Sequence, residues 1–421
     1  MGKRDIDELY KEKYKKTYKS DLYIMIPFTS KHEITIIEEK NKDEYATEFL
    51  KCINRSSSFQ CDNKVVEDFE RYFIGKNNIA CMSLKNDGSI IGKEPIYMFL
   101  TKHKLTNIYM LIIMNLKNEF SPTQIQDQIT TDNLFIYDEK SKVVNINDYM
   151  KNKFGLDQCG KTKTLLSISN YPEDSMELEC MLGSEVYKTF VDDNIYYKLN
   201  SKELTEKSKD NFSQYNFYDI YASKSSVVYV LNTFSDNLIL NIQDEVPILF
   251  IMEIIMFQEA SVLRTNNRIT EQLSQNGSVS LKFIENLYKE FGKTIRFWNK
   301  YVFKYETVQN LAVKLNNAFE TQNTLDEYHK NQEFLEHIVS LRDIQSSNRE
   351  SKILNFIVLI LTLIQVIPVV MQFIDWLFKT NFNPINIFDP KYLLSLSTIL
   401  ILIIILLIKK RRDKNNKRRL K

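Results

Sequence analysis

Five polar residues interrupt an apolar run near the end of this 421-residue chain. Asn355, Thr362, Gln365, Gln372 and Asp375 lie within Ile353–Phe378, separated by seven, three, seven and three residues. On a helix those steps keep them toward one side. A polar group facing lipid is costly, so such a stripe in a membrane helix must face protein or water. It can serve hydrogen bonding between bundled helices, or it can wall a water-filled pore formed by identical helices, since one hairpin cannot enclose a channel. Amide and hydroxyl oxygens suit cations that keep their first-shell waters.

A second constellation is Gly155-Leu-Asp-Gln-Cys-Gly160-Lys161-Thr162, which matches the phosphate-cradling pattern G-x-x-x-x-G-K-[ST]. That chemistry needs a strand before the loop and a helix after it. Here Asp148–Phe154 has neither the alternation nor the length of a core strand, and Thr164–Ile168 reads as a strand ahead of Pro172. The expectation is a glycine-containing loop between strands, with Gly160, Lys161 and Thr162 as the candidate ligand contacts. The cysteines, Cys52, Cys61, Cys81, Cys159 and Cys180, are odd in number and irregularly spaced, and read as free thiols. The four histidines are too scattered for a metal motif, and His329 and His337 read as a solvated pair on a charged helix. No nucleophile stands with a credible base, so enzyme activity is disfavoured.

The elements that must position these residues change character along the chain. The first 243 residues mix strand and helix signals. Strands are expected at Leu22–Phe28, Glu33–Ile37, twice within Ile96–Leu116, and at Leu134–Tyr137, Leu165–Ile168 and Val227–Leu231; an Asp-Gly turn makes Met82–Ile91 a hairpin. Val65, Phe69, Tyr72 and Phe73 predict a helix that Gly75 stops. From residue 244 to 352 the pattern is long helices. Val246–Leu273 is apolar, but Glu253, Gln258, Glu259 and Arg264 interrupt it, so it reads as a buried or interfacial helix. Ile284, Leu287, Phe291, Ile295, Trp298 and Val302 form a packed stripe, and a helix starting near Thr324 is expected to run as a stalk into Ile353. Leu341, Asn348, Asn355, Thr362 and Val369 share one heptad position along it.

Residues 353–408 read as a membrane hairpin. Ile353–Phe378 would be roughly 39 Å long as a helix, more than the ~30 Å hydrocarbon core, and Tyr392–Ile408 carries no charge. The loop between them is broken at Pro384 and Pro390. The tail, 409–421, holds nine Lys or Arg against one Asp, which by the positive-inside rule places it and the large N-terminal region in the cytoplasm. Those charges read as a topology and headgroup anchor and not as a nucleic-acid surface, because the formal net charge of the whole chain is only +2. The N-terminus shows no apolar signal-peptide core. The fold class expected is an α+β membrane protein: an α/β domain, long stalk helices and two C-terminal spans.

Asn348-Arg-Glu-Ser-Lys352-Ile-Leu-Asn355, opening the first of two C-terminal spans after a long helix, resembles the Asn-x-x-x-Lys-x-Leu-Thr start of the pore helix in the CorA family of metal-ion transporters. The resemblance covers roughly Asp244–Lys421. It implies a homopentamer with Asn348, Asn355 and Thr362 on the axis; Gln365, Val369 and Gln372 continue the pore lining, and Asp375, Asn381 and Asn383 stand near the outer mouth. The family's Gly-Met-Asn mouth signature is absent. In that the chain is similar to the CorA-like membrane effectors of type III CRISPR systems. That similarity implies a channel in a bacterial inner membrane, opened by an adduct of S-adenosylmethionine and AMP and acting in anti-phage defence. The alternatives are a divalent-cation transporter with a divergent mouth, carrying Mg2+, Co2+ or Zn2+, and a membrane-anchored sensor without a pore. The implied partners are the chain itself, the bilayer and a small nucleotide, with no nucleic acid.

Overall fold

The computed structural model describes residues 18–30, 32–82, 90–120, 134–138, 140–170, 208–232, 235–276, 281–294, 302–333 and 352–358, with short stretches or single positions within 178–206, at 298 and within 336–374. The chain divides into two compact units, Met1–Leu335 and Glu336–Lys421.

The first unit is an α+β body built on one large mixed sheet. Its strands are β1 (Tyr18–Thr29), β2 (Phe69–Met82), β3 (Ile90–His103), β4 (Ile108–Phe120), β5 (Phe135–Tyr137), β6 (Val143–Asn145), β7 (Asp157–Gln158), β8 (Lys163–Ile168), β11 (Tyr218–Ala222) and β12 (Ser226–Leu231). They run in the order β11-β12-β8-β1-β4-β3-β2-β5-β6, with β7 also on β1. β12 and β8 are parallel, whereas the other pairs are antiparallel. Strands β9 (Tyr187–Val191) and β10 (Asn194–Lys198) form a separate hairpin.

Both faces of the central strands are covered, which explains why β1 reads as an almost unbroken apolar run. Tyr23 and Met25 of β1, Phe99 of β3, Met110, Ile112 and Met114 of β4, and Val227 and Tyr229 of β12 point to one core. The alternate residues Leu22, Ile24, Ile26, Leu111, Ile113, Val228 and Val230 point to the other. Helices α1 (Glu44–Gln60), α4 (Leu238–Asn276) and α6 (Glu306–Ala318) supply the first core, and α3 (Ile146–Phe154) closes part of the second. The remaining helices are α2 (Asn63–Val66) and α5 (Leu281–Thr294). Residues 321–333 are also helical and are held to the body by Asn331 on Asn266 and Gln332 on Tyr288.

Helix α4 confirms one reading and carries the fold. Its stretch Leu238–Gln272 is long and apolar enough to cross a membrane, yet 89% of its apolar window is buried within the protein. It lies against α1, β1 and β4 as the central core helix, and its acidic side chains meet sheet residues instead of lipid.

Three expectations need correction. The segment Val65–Phe73 is helical only over Asn63–Val66; from Phe69 it is strand β2, with Phe69 and Phe73 in the core and Gly75 at a register shift with φ +127°. Glu33–Ile37 forms no strand, because β1 is already paired by β4 on one edge and by β7 and β8 on the other. The stripe Ile284–Val302 is one helix only to Thr294; Trp298 sits in a turn and Val302 beyond it. The helix expected near Thr324 is present, beginning at 321 immediately after Glu320 in a left-handed conformation at φ 57°. The expected hairpin is confirmed in its pairing, Met82 opposite Ile90, while its turn lies outside the described residues.

In the second unit residues 352–358 are helical. Ile353, Leu354, Phe356, Ile357 and Val358 are all exposed, between 48% and 62%, and Asn355 among them is exposed too.

Candidate functional site

An aromatic concavity of the body lies where four segments meet. The end of α1 contributes Phe59 and Gln60, the segment before β11 contributes Phe212, Ser213, Gln214 and Tyr215, and β11 adds Tyr218 and Ile220. Helix α4 supplies Pro247, Ile248 and Ile251, and the start of α6 supplies Tyr305, Thr307, Val308 and Leu311. Together they enclose about 310 Å3, within the range of small-molecule sites.

Each wall has a local cause. Asp43 accepts from the amide of Ala46 at 3.0 Å and starts α1, whose last turn then carries Phe59 and Gln60. Lys304 reaches back to the carbonyl of Ser58 at 2.9 Å, which brings Tyr305 over Phe59 with ring centroids 4.8 Å apart. Asn211 folds the 211–220 loop by accepting from the amides of Ser213 and Ile220. Burial, then Tyr215, raises the Tyr218 phenol to about 12, so it is a hydroxyl donor at any ordinary pH.

The polar centre of this wall is Gln60. It is only 6% exposed; its amide nitrogen donates to the carbonyl of Pro247 at 3.3 Å, while Oε1 has no donor among the described residues. Phe59, by contrast, is 62% exposed. Planar aromatic faces with one buried acceptor can hold a flat ring that carries an N–H.

A line of buried charges along α4 sets the body's electrostatics. Glu253 pairs with Arg71 of β2 at 2.6 Å, with both side chains nearly inaccessible. Glu259 pairs with Lys163 of β8 at 3.1 Å, and that ammonium also lies 4.3 Å from the Phe319 ring centroid. Glu245 has no cationic partner among the described residues: it accepts from the Tyr23 hydroxyl at 2.6 Å, and burial, then the charge of Asp21, pushes its carboxyl well above the usual range.

The phosphate-loop resemblance resolves as a packing feature. Helix α3 precedes the loop and ends at Gly155 in the left-handed region, φ 67°; strands β7 and β8 flank Gly160. The order is the reverse of a phosphate-cradling loop. A Cβ at Gly160 would stand 2.8 Å from Pro27 Cγ, which gives the glycine a steric reason. Lys161 is exposed and Thr162 is buried, so the three candidates do not converge on a cavity.

Of the candidate pore residues, Asn355 is placed on the exposed helix 352–358. Asn348, Thr362, Gln365, Val369, Gln372, Asp375, Asn381 and Asn383 lie outside the described residues, as does most of both apolar stretches. Cys52, Cys61 and Cys159 are free and buried; Cys81 takes part in β2, and Cys180 lies outside the described residues. His329 and His337 are exposed. Among the described residues no cluster of His, Cys, Asp or Glu could hold a metal. The aromatic cavity had no sequence signal, since its parts are up to about 250 residues apart and carry no common motif. The chain matches no family model, no curated protein and no solved structure.

Proposed function

We propose that this chain is a homo-oligomeric membrane channel of CorA-like plan, with a cytoplasmic α+β body that senses a ligand and a second unit that lines a path for hydrated cations. One observation carries the reading. The helix 352–358 is apolar and exposed on every side while still bearing Asn355. Water does not support such a helix, whereas a bilayer supports its apolar residues and neighbouring copies support the asparagine. The two uncharged or nearly uncharged stretches and the basic tail fit the same arrangement, in a bacterial inner membrane with both ends inside.

The gating half of the reading rests on the aromatic cavity. Ligand binding stabilises whichever state binds it more tightly, and about 5.5 kcal/mol of preference moves a population from 1% to 99% open. Several copies of one cavity in an oligomer can sum to that figure. Helix α6, which lines the cavity, leads through 321–333 to the boundary at Glu336. A nucleotide messenger of the S-adenosylmethionine–AMP kind, the ligand the CorA-like effectors imply, presents flat rings with N–H donors that suit the cavity walls, and opening would collapse ion gradients during infection.

Proteoliposomes containing the purified chain test this directly. Cation flux is expected to be low until the messenger is added, and Asn355→Leu with Thr362→Leu is expected to abolish flux without preventing assembly, by drying the constriction. Steady Mg2+ flux without any nucleotide would establish the transporter instead. Ligand binding with no flux in any condition would leave a membrane-anchored sensor.

A further inference from the structure

A second cleft is separate from the aromatic cavity and differs from it in chemistry. The β3–β4 turn forms one wall with Leu105, Thr106, Asn107 and Ile108; α4 adds Ser261, Arg264 and Thr265, and α5 adds Glu290 and Lys293. The space is about 110 Å3, enough for one tetrahedral or planar oxyanion with a water or two.

Its charge is unbalanced in an informative way. The buried acids of α4 are all engaged: Glu245 by Tyr23, Glu253 by Arg71 and Glu259 by Lys163. Arg268, half-buried on the same helix, pairs with Glu290. Arg264 is half-buried and makes no hydrogen bond or ion pair to any described residue. Lys293 likewise has no carboxylate partner among them. Arg268 takes up Glu290, the carboxylate among the lining residues, so among the described residues Arg264 and Lys293 face the cleft without a carboxylate partner. A half-buried guanidinium in that position gains a charge-assisted hydrogen bond from a charged acceptor.

The donors converge from three directions. Arg264 comes from the core helix and Lys293 from α5. Asn107 comes from the turn, where its carbonyl oxygen is occupied by Ser30 and Thr29 while its half-buried side chain makes no bond to a described residue. The neighbouring hydroxyls are already committed: Ser261 donates to Gln258 O and Thr265 to Ser261 O, and Thr106 Oγ1 meets His103 Nδ1 at 2.7 Å. We infer that this cleft binds a single oxyanion of the phosphate class, held by Arg264, Lys293 and the Asn107 amide. The inference is independent of the membrane and gating reading, because it uses only residues of the α+β body. A free phosphate and a lipid phosphate headgroup present the same chemistry.

His103 provides a built-in reporter. It is buried beside Thr106, and burial followed by the charge of Lys293 lowers its imidazole to about 4. An anion bound at Lys293 offsets that field.

The experiment is titration calorimetry on the full chain in a neutral detergent, with inorganic phosphate in one arm and monomeric dioctanoyl phosphatidic acid in the other. Saturable binding is expected in at least one arm, and the arm that responds at the lower concentration identifies the source. Arg264→Gln and Lys293→Gln are each expected to weaken it by about tenfold, the loss of one charge-assisted hydrogen bond. Lys293 is exposed, so its variant keeps the test valid if Arg264→Gln does not fold. In parallel, the His103 ring resonance is expected to titrate at higher pH when phosphate is present. Absence of binding in both arms overturns the inference, and so does binding undiminished in every folded variant.

Discussion

Glu245 is the buried acid of α4 with no cationic partner among the described residues, and its protonation links the core to pH. Because its folded-state affinity for a proton is raised, by burial and then by Asp21, the native chain binds more protons than the unfolded one above the ordinary glutamate range near 4.5. Stability from this group is therefore full at low pH and is lost as pH rises toward the folded-state value. Glu245→Gln keeps an acceptor for the Tyr23 hydroxyl and removes the titration. Thermal melts are expected to show the variant gaining on the wild type between pH 5 and pH 8, with little difference at pH 4; parallel curves across that range would mean Glu245 is not the titrating group. The acid pair itself could not be read from the sequence, since Asp21 and Glu245 are joined only by the packing of α4 on β1. Gln60 and Arg264 were hidden for the same reason: their significance lies in what does not face them.

At the scale of elements, the loop between β7 and β8 shows how a motif can mislead and why. The pattern G-x-x-x-x-G-K-T was satisfied, but the flanking order was not, and the structure supplies a separate reason for Gly160 in its approach to Pro27. Gly160→Ala is expected to destabilise the fold by about 1–3 kcal/mol through overpacking against β1. Lys161→Gln, at an exposed site, is expected to change neither stability nor ligand response. Denaturant midpoints check the pair, and a stability loss in Lys161→Gln equal to that in Gly160→Ala would contradict the steric account. The central strands were legible because apolar, β-branched runs bounded by turns have few other solutions. Val65–Phe73 was not, since residues four apart, Phe69 and Phe73, share a face in a strand as well as in a helix. Glu33–Ile37 had strand composition but follows a strand, β1, that is already paired on both edges. Helix α6 went unread because its buried stripe, Leu311, Ala312, Leu315 and Ala318, includes two alanines that contribute little hydrophobic signal.

At the scale of the whole molecule, the proposed function divides labour between two units with opposite solvent requirements. Met1–Leu335 contains a sheet whose central strands are covered on both faces and the full length of its core helix, so its two cores are closed within the unit. Glu336–Lys421 contains the exposed apolar helix 352–358 and the basic tail, which under the proposed function are covered by lipid or by other copies. If that division is correct, cutting the chain after Leu335 removes the need for a membrane without opening the core. The truncated protein is expected to be soluble without detergent, to melt cooperatively, and to keep the protection of β1 and β4 amides from hydrogen exchange seen in the full chain. It is also expected to be monomeric in native mass measurements while the full chain in detergent is pentameric, because the heptad positions Leu341, Asn348, Asn355 and Thr362 all lie in the removed part. A truncated body that still forms the pentamer would place assembly in the sheet domain and separate it from the pore. A truncated body that aggregates, with β1 unprotected, would show that the second unit completes the core and would remove the basis for treating it as a membrane element.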